Sequence, residues 1–228
     1  MKRFYKQAEP IGTGPFGVTL DGRPLRTPGR LALDLPTLGL AEAIAAEWQA
    51  QGDAIVPRSM PLTGLANAAI ERIAPDTATF AAGLARFVET ELLAYRADHP
   101  MPLVARQQAE WDPLLAWARR RYDVDFRLVT GIIHQPQPPA TLARIGAAYA
   151  AFDAFRLAAL NPVVTICGSA VIGLAVAEAQ IDAGEAWALG HLDELWQAEQ
   201  WGRDPLAEAG HAERQSELAA AVGLLRLL

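Results

Sequence analysis

A stretch without a single charged side chain most constrains the fold of this chain. It spans residues 157–177 and reads LAALNPVVTICGSAVIGLAVA. Its length is close to that of a membrane-spanning helix, but Asn161, Pro162 and Ser169 interrupt it and much of it is alanine. We therefore expect a helix buried in the core of a domain, with no membrane insertion.

An acidic segment follows this uncharged stretch. Residues 182–217 hold nine carboxylates against two arginines, the net charge of the chain is −6, and Lys2 and Lys6 are its only lysines. Binding to nucleic acid depends on clustered Lys and Arg side chains. We therefore expect no nucleic-acid partner, and we expect the acidic segment to be presented to solvent or to a protein.

The N-terminus and the cysteine content indicate a reducing compartment. MKRFYKQAEPIG, which begins at Met1, contains basic residues but no apolar core of a signal peptide. Cys167 is the only cysteine, so no disulfide framework is available.

The composition allows a substantial core. With 51% apolar residues in 228, the chain can bury one large core or two modest ones.

The first third of the chain predicts a small antiparallel sheet. Residues 16–20 alternate apolar and polar side chains, Asp21-Gly22 is a type I′ turn pair, and residues 23–27 return as the second strand of a hairpin. A further strand is expected at residues 30–33, with residues 3–7 as an additional candidate. A sheet this small needs apolar cover from other elements.

Two short helices are expected to provide that cover. The first begins at Thr37 and ends before Gly52. The second follows Pro61, is capped by Thr63 and runs to Ile73. Both helices carry apolar side chains at helical spacing, so each has one face to lay against the sheet.

Residues 74–76, Ala-Pro-Asp, interrupt the chain and are the predicted domain boundary. Beyond them the apolar spacing is helical, and the expected helices are 77–92, 102–121, 141–160, 163–180, 184–200 and 205–227. Pro113 is expected to kink or divide the second of these. We therefore predict an α+β fold, with a small antiparallel β domain and short helices at 1–75 and a larger all-α domain at 76–228.

Several patterns match binding motifs without their structural context. Gly12-Thr-Gly-Pro-Phe-Gly17 has dinucleotide-binding spacing, but a strand and not a helix is predicted after it. His191-x-x-Glu194 and Glu208-x-x-His211 have the spacing of di-iron helices, yet only one pair has the order Glu-x-x-His. Cys167 lies among aliphatic residues, which is typical of an unreactive thiol. We therefore expect no cofactor, no metal site and no catalytic residue.

A continuous helix over residues 187–201 would have two different sides. At about 100° per residue its core-facing stripe would consist of Ala188, Leu189, Leu192, Leu195 and Trp196. Trp187, Glu194 and Trp201 lie opposite, with Gln197 beside them. Tryptophan is enriched in binding hot spots, and a carboxylate between two of them could pair with an arginine of a partner. The alternative is that both sides are buried and Glu194 has an internal partner.

Seven sequence blocks, spread over nearly the whole chain, carry a family resemblance. They are KRFY from Lys2, LDGRPLRTP from Leu20, AEWQAQGDAI from Ala46, MPLTGLANAAI from Met60, Tyr95-Arg96, LVARQQAEWDPLLAWA from Leu103 and LDELWQAEQWG from Leu192. In these blocks the chain resembles the F1-ATPase assembly chaperones that bind the alpha subunit of ATP synthase in mitochondria and alpha-proteobacteria. Residues 91–94, Glu-Leu-Leu-Ala, depart from the family pattern, so no role is carried onto them.

The resemblance implies a non-enzymatic chaperone that covers the alpha-subunit surface which the beta subunit later meets. The acidic pair, glutamine and tryptophan of the last family block fall on Asp193, Glu194, Gln197 and Trp201, with Glu194 as the functionally important glutamate. With Trp187, these are the predicted partner-binding residues. A cytoplasmic location is expected for a bacterial member, and the mitochondrial matrix for eukaryotic relatives. The alternatives are a small-molecule or metal-dependent enzyme using the acidic helices, and a generic protein-binding adaptor.

Overall fold

The computed structural model describes residues 1–131, 133–202 and 205–228. Its internal contacts divide the chain into two compact units. Unit 1 consists of Met1–Thr77, Asp153–Ala159 and Gly223–Leu228, and unit 2 consists of Ala78–Phe152 and Leu160–Val222. The domains 1–75 and 76–228 stay a prediction. The predicted domains differ from the two units because Asp153–Ala159 and Gly223–Leu228 belong to unit 1.

Unit 1 contains the predicted antiparallel sheet, with its three strands in the order β1–β2–β3. The strands are β1 (Ala8–Ile11), β2 (Gly17–Leu20) and β3 (Arg23–Pro24). The predicted turn joins β2 to β3, with φ of +48° at Asp21 and +77° at Gly22. Residues 3–7 and 30–33, both described, are not strands, so those two predictions are wrong. The third strand is β1 instead, which tolerates Pro10 because it lies at the sheet edge.

Helix α1 (Leu38–Gln49) packs on this sheet and begins where predicted. The Thr37 hydroxyl accepts the N–H of Leu40 at 3.2 Å, which caps the helix. The buried core around α1 consists of Val18, Leu33, Leu35, Leu40, Ala41, Ile44, Ala45, Ala66, Ala159 and Leu224. Ala159 and Leu224 come from the later segments, which therefore belong to unit 1 because they complete its core.

Helix α2 (Pro61–Ala68) was predicted to follow Pro61 and to be capped by Thr63, but both residues lie inside it, so the predicted start and cap are wrong. The carboxylate of Glu47 in α1 accepts the N–H groups of Leu62 at 2.7 Å and of Thr63 at 2.8 Å. The Thr63 hydroxyl donates to the same carboxylate at 2.7 Å. The free N–H groups of α2 are thus satisfied from a neighbouring helix, which local sequence does not reveal.

The remaining chain is mostly helical, which confirms the α+β class. The helices are α3 (Thr77–Ala85), α4 (Met101–Tyr122), α5 (Pro139–Ala150), α6 (Ala154–Cys167), α7 (Ala170–Ala177), α8 (Ala183–Gly190), α9 (Leu192–Trp201) and α10 (Pro205–Arg226). In unit 2, β4 (Tyr95–Arg96) and β5 (Val129–Thr130) form a short parallel pair. Helix α4 matches its prediction, and Pro113 does not divide it. Over the described ranges, no helix combines the length and the apolar character needed to cross a membrane.

The helix predicted at 141–160 is in fact two helices, α5 and the start of α6. The Asp153 carboxylate accepts the N–H groups of Phe155 and Arg156, both at 2.9 Å, and so caps a new helix. Pro162 then lies inside α6, not between two helices. The cap at Asp153 therefore sets the helix boundary, and the proline does not.

The helix predicted at 163–180 is also wrong in its boundaries. Gly168 has a φ of +64°, a conformation that favours glycine and ends α6. The Ser169 hydroxyl then accepts the N–H of Ile172 at 2.9 Å and caps α7. Every residue from Ala170 to Val176 is buried, as the uncharged stretch predicts.

A fully buried carboxylate, Glu91, closes the N-terminus of α7. It accepts hydrogen bonds from the Ser169 hydroxyl, from the N–H of Val171 at 3.1 Å and from the N–H of Leu93 at 3.3 Å. Burial raises the pKa of Glu91 to about 7, against the opposing effect of these donors. Glu91 is thus a structural partner of the buried helix, a role that the sequence did not indicate.

Candidate functional site

The helix predicted at 184–200 is interrupted at His191, which separates α8 from α9. His191 is buried and has a φ of −119° and a ψ of 23°. The N–H of His191 still donates to the Trp187 carbonyl at 3.0 Å, and the N–H of Leu195 donates to the His191 carbonyl at 2.9 Å. Because these helical hydrogen bonds continue across the interruption, side chains that were expected to share a side still do so.

The structure brings four of the five predicted partner-binding residues together in one groove of unit 2. We call this the α9–α10 groove. It has a volume of about 890 Å³ and is lined by Trp187, Glu194, Gln197 and Trp201, with His211, Arg214 and Gln215 contributed by α10. A groove between two helices can hold side chains of a protein partner.

The two tryptophans of the α9–α10 groove have different environments. Trp187 is 6% exposed, and its ring stacks on His191 with 3.7 Å between centroids and an interplanar angle of 19°. Trp201 is 76% exposed and meets Trp196 edge-on at 5.9 Å. The burial alternative is therefore correct for Trp187, whereas Trp201 stands at the rim with most of its ring in solvent.

Glu194 has a partner from another helix. Its Oε2 lies 3.3 Å from Nε2 of His211 in α10, and the side chain of Glu194 remains 56% exposed. The His211 ring also packs edge-on against Trp187, with 5.6 Å between centroids. The sequence pattern does not indicate a partner-binding role for His211, because helical spacing within one segment cannot show which side chain another helix brings to it.

Asp193 lies outside the α9–α10 groove. Its Oδ1 accepts a hydrogen bond from Nε2 of Gln107 in α4 at 2.7 Å. Glu199 likewise pairs with Arg106 of α4 at 2.7 Å. One side of α9 is thus held against α4 by polar contacts, while the side with Glu194 is left for the groove.

The predicted core stripe is correct only in part. Leu189 and Leu192 are buried, Leu195 and Trp196 are half-buried, and Ala188 is exposed. Helix α8 buries Ala186 and Trp187 in place of Ala188. Ala188 therefore belongs to the surface of the helix and not to its core side.

The motif-like patterns have structural contexts of their own. Gly12 and Gly14 have positive φ and are followed by β2. In the part of the chain that the structure covers, no three His, Cys, Asp or Glu side chains gather as metal ligands. Burial lowers the pKa of His191, and it raises the pKa of Cys167 to about 12. A thiol with so high a pKa is a poor nucleophile.

Comparisons with known proteins agree with the resemblance seen in the sequence. The family model described as ATP12 chaperone protein matches residues 2–119. The mitochondrial protein atp12 of Schizosaccharomyces pombe is 25% identical over 241 aligned residues, which cover 100% of this chain and 83% of that protein.

Solved structures extend the similarity over almost the whole chain. Atp12 from Paracoccus denitrificans has 45% identity and a TM-score of 0.94, with 99% of this chain and 97% of that one covered. A putative chaperone from Agrobacterium tumefaciens has 41% identity and a TM-score of 0.94, with 99% and 85% covered. The fold and the sequence thus define an assembly chaperone of the F1 sector of ATP synthase. The chain belongs to the ATP12 chaperone family.

Proposed function

We propose that this chaperone binds the unassembled alpha subunit of F1 and shields the surface that the beta subunit later contacts. Family membership supports a role in F1 assembly, and the resemblance of the seven sequence blocks supports the alpha subunit as the client. An unpaired subunit exposes apolar interface that would otherwise aggregate. Occupying that interface until the proper neighbour arrives is the physical role of such a chaperone.

The α9–α10 groove is the proposed binding site. The observation that carries this proposal is that Trp201, which is 76% exposed, lines the same groove as Glu194, whose side chain is 56% exposed. A groove with a large exposed aromatic ring and a carboxylate suits an arginine flanked by apolar side chains, the composition typical of interface hot spots. Gln197 adds a side chain that both donates and accepts hydrogen bonds.

The contact must later be broken, so a moderate interface fits the role better than an obligate one. We expect a total buried area on the order of 1,200 to 2,000 Å². The proposal includes no cofactor and no catalytic step. We also propose that the protein is located in the bacterial cytoplasm. The similarity of the chain to the Paracoccus and Agrobacterium proteins supports this location.

Capture of purified alpha and beta subunits, each offered separately, tests the proposal. We expect selective capture of alpha, and a loss of about tenfold or more for Glu194→Lys, because reversing a charge in an interface opposes its partner. Glu217→Lys is the matched control, since Glu217 is an exposed glutamate of α10 outside the groove. Equal capture of both subunits would refute the choice of client. Equal losses in the two variants would refute the groove.

A further inference from the structure

A second groove lies on the other side of α8, between α8 and α4. We call it the α4–α8 groove. It has a volume of about 460 Å³, and its apolar floor includes Leu114, Trp117, Ile181 and Leu189. Neither the predicted site residues nor the α9–α10 groove includes any of these side chains. Trp117 and Ile181 are half-buried, so part of their apolar surface is open to solvent in this groove.

Two contacts define the relative direction of the chain segments that form the walls of this groove. The Trp111 indole donates to the Leu189 carbonyl at 3.0 Å, and Nε of Arg121 lies 2.8 Å from a carboxylate oxygen of Glu178. Helix α4 therefore runs antiparallel to the segment 178–189, which forms the opposite wall. The α4–α8 groove therefore has two distinct ends, one near Leu189 and one near Ile181.

The α4 wall of the groove carries a charge of opposite sign at each end. Glu110 lines it towards the Leu189 end, and Arg120 lines it towards the Ile181 end. Glu185 of α8 also lines the groove, and its carboxylate accepts the N–H of Asp182 at 2.8 Å in the cap of that helix. Among the residues that the structure describes, neither Glu110 nor Arg120 has an ion-pair partner. Their positions on α4 differ by ten residues, which corresponds to about 15 Å along a helix. An unpaired carboxylate and an unpaired guanidinium thus flank the apolar floor.

Pro113 strengthens the preference of the acidic end for a cation. Because proline has no N–H, the carbonyl of Ala109, four residues earlier in α4, has no α-helical donor. Ala109 lines the same groove next to Glu110. A carbonyl without its helical partner and a carboxylate at the same end favour a side chain with several donors, as arginine has.

We propose that the α4–α8 groove is a second docking surface, which holds an amphipathic helix of the bound F1 subunit. A basic side chain of that helix meets Glu110 and the Ala109 carbonyl, its apolar side chains cover Trp117 and Ile181, and an acidic side chain about three turns away meets Arg120.

The occupant is assigned to the same client because α8 is a wall of both grooves. Trp187 lines the first groove, and Ala188 and Leu189 line the second. A stable complex buries about 800 Å² on each partner, so we expect the contact to extend across α8 from the first groove into the second. The inference therefore rests on the proposed function and adds a second contact to it.

Site-specific photo-crosslinking with purified alpha subunit tests both grooves in one complex. A benzoylphenylalanine is placed at Ala188 for the second groove, at Gln197 for the first, and at Ala147, an exposed alanine of α5, as the control. We expect crosslinks from 188 and 197 and none from 147. A crosslink from 197 without one from 188 overturns the second surface and leaves the proposed function intact. Failure to capture alpha at all overturns both.

Charge reversal tests the chemistry of the second groove. Glu110→Arg is expected to weaken capture of alpha about tenfold or more, and Arg120→Glu is expected to weaken it in the same direction. Gln108→Arg, which adds a positive charge at an exposed position of α4 outside the groove, is expected to change capture less than about twofold. Equal effects of Glu110→Arg and Gln108→Arg would show that net charge matters and the groove does not.

Discussion

Helices α7 and α9 lie in the same unit and have opposite relations to solvent. In α7 every residue from Ala170 to Val176 is buried. In α9 only Leu192 is buried, and the helix ends at the exposed Trp201. The first helix is held by apolar packing on all sides, whereas the second is held along one side by polar contacts with α4.

This difference separates residues that hold the fold from residues that are available to a partner. The donors at the start of α7 are all used internally, by Ser169 and Glu91. In α9 the carboxylate of Glu194 is still more than half exposed after pairing with His211. Substitutions around α7 should therefore change stability, and substitutions on the groove side of α9 should change binding.

The largest effect on stability is expected from Ile172→Ala in α7. The Ile172 side chain is fully buried, so the variant loses apolar burial and leaves a cavity. We expect the free energy of unfolding to fall by about 4 kcal/mol, within the range for fully buried aliphatic residues. Chemical denaturation measures this loss. A change below about 1 kcal/mol would contradict the packing described for α7.

A smaller effect, dependent on pH, is expected from Glu91. Burial raises its folded-state pKa from 4.5 to about 7, so the folded protein holds this proton more tightly than the unfolded chain. This contribution to stability is fully present below about pH 4.5 and is lost as the pH rises through 7. A shift of this size corresponds to on the order of 3 kcal/mol.

The Glu91→Gln variant isolates that contribution, because its side chain does not titrate. His191 opposes Glu91: burial lowers the pKa of His191, so its contribution to stability is lost as the pH falls. Since His191 is present in both proteins, it cancels in the difference between their stability curves. Denaturation from pH 5 to pH 8 should show wild type losing stability relative to Glu91→Gln. Parallel curves would contradict the assignment.

Local sequence signals predicted much of the fold. The Asp21-Gly22 turn needs positive φ at both positions, and those residue types tolerate it. Helix α4 was found because six buried residues recur at helical spacing along its length. Both signals are contained within a few neighbouring residues, so no tertiary information was needed.

Helix boundaries were less predictable where distant groups satisfy the backbone. Glu47 replaces a local cap at the start of α2, and Glu91 adds a distant acceptor beside the local cap of Ser169 at α7. The interruption at His191 directly follows Gly190, and His191 itself is buried against Trp187. The cap at Asp153 was visible in principle, but the apolar spacing on both sides of it concealed the boundary.

The candidate site was predictable only in part. Spacing placed Trp187, Glu194 and Trp201 on one side, and the structure keeps them in one groove although the helix is interrupted. Asp193 was included because of family resemblance, and it lies against α4 instead of in the groove. His211 could not be found from the sequence, because its position depends on how α10 lies beside α9. The binding role of these residues stays a prediction.

The smallest effect on stability, and the sharpest separation of binding from folding, is expected from Trp201→Ala. The indole is 76% exposed, so its removal should change the free energy of unfolding by less than about 0.5 kcal/mol. Capture of the alpha subunit should nevertheless fall about tenfold or more, because exposed tryptophans of this kind act as hot spots. Denaturation and capture are measured on the same preparation. If Trp201→Ala unfolded the protein, Trp201 would be a residue that stabilises unit 2. The exposed end of α9 would then contribute to stability as α7 does, which would contradict the comparison.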